Sequence, residues 1–223
     1  MVKPQKNTSF KKMLSIMIVT IIVALTIRFF VFEPYKIPTN TMSPTLMSGD
    51  LILVQKWPFG IHTPLDYSVV FPGRLPSYGE VVLYSPKNQP GINYLKRVIG
   101  LPGDHIQIKK GRVILNKKPL PFKSSSIKNC GIETINDYDY QVCLNPELIE
   151  TNKAYNVPQN SVFVIGDFRS KKVSIKDWDI IPISVIRAKA SFIWLSIDPH
   201  TNNNSKQSWT SIIRFDRVFS FIK

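Results

Sequence analysis

Ile37-Pro38-Thr39-Asn40-Thr41-Met42-Ser43-Pro44-Thr45-Leu46-Met47-Ser48-Gly49-Asp50 runs directly into Leu51-Ile52-Leu53-Val54-Gln55-Lys56. Pro38 and Pro44 fix φ at about −65° and remove amide donors, which bars a regular helix or a central strand between them. Gly49-Asp50 reads as a turn, and the apolar run after it as a short buried strand. The result is a stiff loop presenting Thr39, Thr41 and Ser43, held in place by the strand that follows. Two readings fit these residues: a Ser/Thr/Pro linker leaving a membrane span, or a reactive hydroxyl loop. The rest of the chain decides between them.

Upstream, residues 13–32 read MLSIMIVTIIVALTIRFFVF, with Arg28 as the only charge. About 20 apolar residues are what a bilayer core demands of a helix, and Arg28 lies near the far end, where its side chain can snorkel to the headgroups. A cleaved secretory signal competes, but its apolar region is usually shorter and ends in small residues. This run ends in Phe-Val-Phe-Glu-Pro-Tyr, so the expectation is an uncleaved anchor. Lys3, Lys6, Lys11 and Lys12 precede it and place that end in the cytoplasm by the positive-inside rule. The chain thus divides into a basic cytoplasmic tail (1–12), a transmembrane anchor (13–32) and an extracytoplasmic domain (33–223). The formal charge of +14 is spread along the chain without a nucleic-acid recognition motif, and attraction to anionic lipid headgroups is the more economical reading.

Downstream, Trp57-Pro58-Phe59-Gly60 is an aromatic corner whose Trp either sits in a membrane-interface belt or caps the core. Tyr78–Tyr84 holds a second strand. Tyr94-Leu95-Lys96-Arg97-Val98-Ile99-Gly100-Leu101-Pro102-Gly103-Asp104 then sets two cations side by side on an apolar strand, where they point to opposite faces. One cation looks toward the core side with Tyr94 and Val98, where desolvation favours a neutral lysine able to act as a base; alternatively this is a solvated edge strand with both side chains snorkelling. His105–Asn116 reads as a hairpin around a Lys-Gly turn.

A loop-rich insertion (about 119–156) carries Cys130 and Cys143, the only cysteines. In an oxidising compartment they either form a disulfide, worth on the order of 3 kcal/mol, or remain two thiols. Val157–Arg169 is a turn and strand ending in Gly166-Asp167-Phe168-Arg169, and Ile186–Ile197 is a closing strand. The apolar-basic tail from Trp209 to Ile222 fits a membrane surface and core packing equally well. Many short strands with Gly/Pro turns predict a mainly β domain of short antiparallel strands behind one transmembrane helix.

IPTNTMSPTL, GDLILVQK, YLKRVIGLPGD, VPQNSVFVIGDFR and AKASFIWLSID, in this order and at this spacing, resemble bacterial signal peptidase I, the membrane-anchored Ser-Lys endopeptidase family. No Walker loop, HExxH or Gly-x-Ser-x-Gly competes, and His62, His105 and His200 suggest no Ser-His pair. A soluble Ser-Lys autoprotease fails on the anchor and on the lack of a DNA-binding segment. The resemblance implies the nucleophile at Thr41, the general base at Lys96, and an oxyanion hole from the Thr41 amide and Thr39 hydroxyl. It also implies that Met42, Tyr94 and Leu95 line a site for small side chains, and it implies no cofactor or metal. Its partners would be signal peptides of exported preproteins and membrane lipids, at the bacterial inner membrane with the catalytic domain on the periplasmic or extracytoplasmic side.

The chain departs from the family pattern at several points. Thr41 replaces the usual serine, and its added methyl stiffens χ1. Phe168 replaces an asparagine, the lysine-orienting serine aligns with Lys172, and its acidic partner with Ser174, which is the remaining hydroxyl able to orient Lys96. In an extended loop Ser43 would point the same way as Thr41 but about 6 to 7 Å along, beyond the roughly 3 Å a general base needs. Two functions follow: an active peptidase with a threonine nucleophile, or a weak or inactive paralogue that binds signal peptides or assists assembly at the membrane.

Overall fold

The computed structural model describes residues 7–63, 69–86, 88–89, 91–127, 129–144, 154–169, 178–199 and 212–222, without the side chains at 7–9, 27–30, 61, 62 and 69. Helix α1 (Asn7–Phe30) leads into β1 (Phe32–Lys36), β2 (Asp50–Gln55), β3 (Gly60–His62), β4 (Val69–Pro72), β5 (Val81–Tyr84) and β6 (Tyr94–Gly100). Next come β7 (His105–Lys109), β8 (Arg112–Leu115), β9 (Lys118–Pro119), β10 (Phe122–Ser124), β11 (Cys130–Ile135) and β12 (Tyr138–Leu144). The chain closes with β13 (Ala154–Asn156), β14 (Ser161–Ile165), β15 (Phe168–Arg169), β16 (Trp178–Pro182), β17 (Ile186–Ser196) and β18 (Ser220–Phe221).

The main sheet runs β1-β2-β17-β5-β6-β14-β16, with β18 also on β17. Its pairings are antiparallel, as the pattern of short strands and tight turns predicts. A second sheet, β10-β11-β12-β15, carries a parallel pair between β12 and β15, and a third, β13-β7-β8-β9, contains the expected hairpin. Lys110 and Gly111 both take positive φ at that hairpin turn, the geometry that matches the strands' right-handed twist.

The structure decides readings that the sequence left open and changes others. Strand β6 lies inside the main sheet, between β5 and β14, so it is no solvated edge: Lys96 is 2% exposed and Arg97 is fully buried. The physical reason is coverage on both faces, since Leu95 belongs to one core cluster, Val98 to a second and Ile99 to a third. The segment expected to be rich in loops is largely β10, β11 and β12 where it is described. Its cysteines face each other across β11 and β12 and are joined as a disulfide, with Cα atoms 4.0 Å apart.

The loop 37–50 is also not extended. Several of its amides bond within the loop: Ser43 N–H donates to Asn40 O (3.0 Å), Leu46 N–H to Met42 O (2.8 Å) and Gly49 N–H to Ile37 O (3.0 Å). The Ser43–Pro44 peptide is cis. Met42 and Leu46 turn inward to the core with Ile37, Ile52, Val54 and Leu95. At the loop's end Gly49 has φ +88°, and a Cβ there would lie 1.9 Å from the Ile197 carbonyl, so no side chain fits.

Trp57 opens a 3₁₀ turn and is 56% exposed, while Phe59 of the same turn is buried; the tryptophan does not cap the core. Helix α1 exposes apolar side chains, among them Phe10, Met13, Ile16 and Val19. Among the described residues no helix is long and apolar enough to cross a membrane.

Candidate active site

Strand β2 fixes the end of the hydroxyl loop, and the Gly166-Asp167 turn between β14 and β15 fixes its middle. The Thr41 carbonyl accepts a hydrogen bond from Phe168 N–H (3.2 Å). A Cβ built on Gly166 would sit 2.7 Å from that carbonyl oxygen and 3.3 Å from Lys96 Nζ. Thr41, from the loop, and Lys96, from β6, therefore converge on one buried glycine. Any side chain at 166 would fill the space they share. Lys96 reaches this point because β6 and β14 are paired, with Arg97 opposite Ile165.

Thr39 stands beside Thr41 with its hydroxyl oxygen 3.3 Å from that of Thr41. Thr39 is exposed and Thr41 half-buried. Met42 and Leu95 are buried in the same core cluster. Tyr94 is half-buried at the start of β6, stacks on Tyr84 at 5.6 Å and donates to Gln89 Oε1 at 2.6 Å. Phe168 meets Thr41 through its backbone N–H. Lys172 and Ser174 lie outside the described residues, as do His200 and the His62 side chain. His105 pairs with Asn156 through Nδ1 (2.7 Å). Among the described residues no group of three or more His, Cys, Asp or Glu is placed to hold a metal ion.

A buried charge network backs the site. Arg97 Nε and Nη2 donate to the two oxygens of Asp167 at 2.8 and 2.6 Å, and Nη1 donates to Gly79 O at 2.6 Å. Thr45 Oγ1 donates to Asp167 Oδ2 at 2.5 Å, tying the hydroxyl loop to the same carboxylate. Burial alone would push the Arg97 guanidinium down, but Asp167 outweighs it and holds it above its ordinary value. The Arg97 guanidinium lies 4.4 Å from the Tyr140 ring centroid. Tyr140 in turn donates to Glu133, which pairs with Arg169 at 2.6 Å. Burial first and Glu133 second push the Tyr140 phenol well above its ordinary value, so it stays a donor.

Thr45 and Glu133, whose side chains tie into this network, were not legible as such in the sequence. The one visible signal was the Asp and Arg of Gly-Asp-Phe-Arg, whose partners lie in other strands.

The family model described as "Signal peptidase, peptidase S26" matches residues 10–195. The chain belongs to this signal peptidase family. It is 30% identical to a Signal peptidase I of Buchnera aphidicola subsp. Schizaphis graminum, across 96% of this chain and 82% of that one. It is 29% identical to a Signal peptidase I of Pseudomonas aeruginosa, across 86% and 75%. A crystal structure of a signal peptidase I from Enterococcus faecalis is 18% identical and covers 52% of this chain and 97% of that one; at a TM-score of 0.33 the likeness carries no argument. In this signal peptidase family member the backbone carbonyl of Thr41 and the Nζ end of Lys96 both border Gly166.

Proposed function

We propose that this signal peptidase I-type endopeptidase cleaves signal peptides from exported preproteins with Thr41 as nucleophile and Lys96 as general base. The observation that carries this is the convergence of the Thr41 loop and a buried Lys96 on Gly166. Removal from water disfavours the charged form of an amine, which suits a base that must begin neutral.

Lys96 Nζ takes the proton of Thr41 Oγ1 as that oxygen bonds to the scissile carbonyl carbon. The carbonyl oxygen becomes an oxyanion, stabilised by the Thr41 N–H and the Thr39 hydroxyl, which already stands beside Thr41. Collapse breaks the C–N bond, and the protonated Lys96 gives its proton to the leaving amine. Water, deprotonated by Lys96, then hydrolyses the ester and frees Thr41. Met42 and Leu95, which share one core cluster, and Tyr94, which packs against another, are the residues assigned to the site that takes small side chains, and Ser174 is the hydroxyl assigned to orient Lys96.

Residues 13–32 anchor the protein in the bacterial inner membrane, with the N-terminus cytoplasmic and the catalytic domain outside it. The support is the apolar run of the sequence at residues 13–32, as long as a bilayer core demands, with Lys11 and Lys12 just before it. Lipid is then the second partner, beside signal peptides.

Purified protein in detergent is assayed on one preprotein. Thr41→Ala is expected to abolish cleavage, Thr41→Ser to raise the rate by removing the crowding methyl, and Ser43→Ala to leave it unchanged. Cleavage surviving Thr41→Ala but lost in Ser43→Ala moves the nucleophile. Inert wild type and inert Thr41→Ser with signal-peptide binding retained make the chain a non-cleaving binder.

A further inference from the structure

The segment 212–222 lies beyond the residues matched by the family model, yet it returns to the back of the hydroxyl loop. It is fastened along β17: Asp198 N–H donates to Ile212 O (2.9 Å), Arg214 N–H to Ser196 O (3.0 Å) and Ile222 N–H to Ser191 O (3.0 Å). Between these points it delivers two guanidinium groups to Asp50, which is fully buried. Arg217 Nη2 is 2.6 Å from Asp50 Oδ2, and Arg214 Nη2 is 3.1 Å from Oδ1.

The same groups take up loop carbonyls. Arg217 Nη1 donates to Pro44 O (3.1 Å) and Nη2 to Thr45 O (2.9 Å), while Arg214 Nη2 donates to Ser48 O (2.7 Å). Asp50 completes the grip by accepting from Met47 N–H at 2.8 Å. The loop is thus held on two sides: at Thr45 Oγ1 by Asp167, and at the carbonyls of 44 and 45 by Arg217. Arg217 makes both carbonyl bonds while keeping the carboxylate pair, which a planar guanidinium permits and a single ammonium does not.

We infer that Arg217 is a positioning residue for the nucleophile loop: from the C-terminal segment it clamps Pro44 and Thr45 against Asp50 and thereby fixes the height of Thr41 relative to Lys96. Arg217 acts through the loop and touches no reacting atom. The catalytic half of this statement rests on Thr41 as nucleophile, whereas the clamp itself does not.

Two measurements on the full-length protein in detergent therefore run together, for Arg217→Ala and Arg217→Lys. The first is hydrogen exchange at the Ser43 and Leu46 amides, whose bonds lie inside the loop. The second is kcat and KM for a signal-peptide substrate, with and without millimolar guanidinium against a sodium chloride control of equal ionic strength.

Arg217→Ala is expected to speed loop exchange by at least about tenfold while amides of β6 keep their protection. It should lower kcat by about tenfold or more with KM changed less than about twofold, because a displaced nucleophile costs rate rather than affinity. Guanidinium, not salt, should restore part of kcat, and Arg217→Lys should fall between Arg217→Ala and wild type. Loop exchange at the wild-type rate overturns the clamp. So does loosening that spreads equally through β2, β6 and β17, which would make Arg217 a general brace. Unchanged kcat with a loosened loop overturns the positioning role. If the wild type does not cleave, the proposed function fails, and loop exchange alone decides the clamp.

Discussion

Replacing Gly166 with alanine is the sharpest perturbation of the site, because one methyl enters the space between Thr41 and Lys96. The added Cβ would lie 2.7 Å from the Thr41 carbonyl oxygen and 3.3 Å from Lys96 Nζ. An ordinary carbon–oxygen contact is about 3.3 Å, so the loop backbone must retreat by roughly 0.6 Å or β14 must give way by the same amount. Lysine can swing its terminal atom, but a backbone carbonyl held by Phe168 N–H cannot move alone. Overpacking of this kind costs about 1 to 3 kcal/mol. A displacement approaching 1 Å at the reacting group costs up to about 100-fold in rate, so a loss of about 10- to 100-fold in kcat/KM is expected. Cleavage of one preprotein, measured beside a thermal melt, tests this. Gly166→Ala cleaving at the wild-type rate with an unchanged melt would refute both the crowding and the placement of the site. A lowered melt with full activity would leave the crowding and remove the site.

Other expectations are simpler. Lys96→Met and Lys96→Arg should both end cleavage while the protein stays folded, since methionine accepts no proton and arginine does not release one; retained activity in Lys96→Met takes the lysine out of the mechanism. Asp167→Asn leaves the buried Arg97 without its counter-charge and should destabilise the fold by about 3 to 5 kcal/mol, and a denaturant midpoint unchanged from wild type would contradict that. Burial pushes the Glu80 carboxyl up, but hydrogen bonds from Arg74 and Lys189 outweigh it and hold the group below its ordinary value. Its contribution is therefore complete above the unfolded carboxylate's pKa of about 4.3 and lost as pH falls through the lower folded value. The melting-temperature gap between wild type and Glu80→Gln should be full at neutral pH and close in acid; a gap independent of pH defeats this reading.

The sequence by itself determined what local chemistry dictates. Alternation and turn residues marked β2, the β7–β8 hairpin, β14 and β17, because strand periodicity and the φ demands of Lys110-Gly111 are properties of neighbouring residues. Two prolines announced an irregular loop presenting Thr39, Thr41 and Ser43, and the apolar strand 94–100 showed a lysine at 96. Tertiary structure decided the rest. Whether Lys96 and Arg97 meet water depends on which strands flank β6, and that is set by β5 and β14 rather than by any residue within it.

The loop's compact shape likewise depends on contacts that Met42 and Leu46 make with distant strands, and an extended reading of 37–50 had no means to see them. The partners of the buried charges are the clearest case. Arg97 finds Asp167 70 residues later, and Arg217 finds Asp50 167 residues earlier. An ion pair imposes no periodicity on the residues around it, so its two halves look like ordinary surface charges until folding removes the water between them.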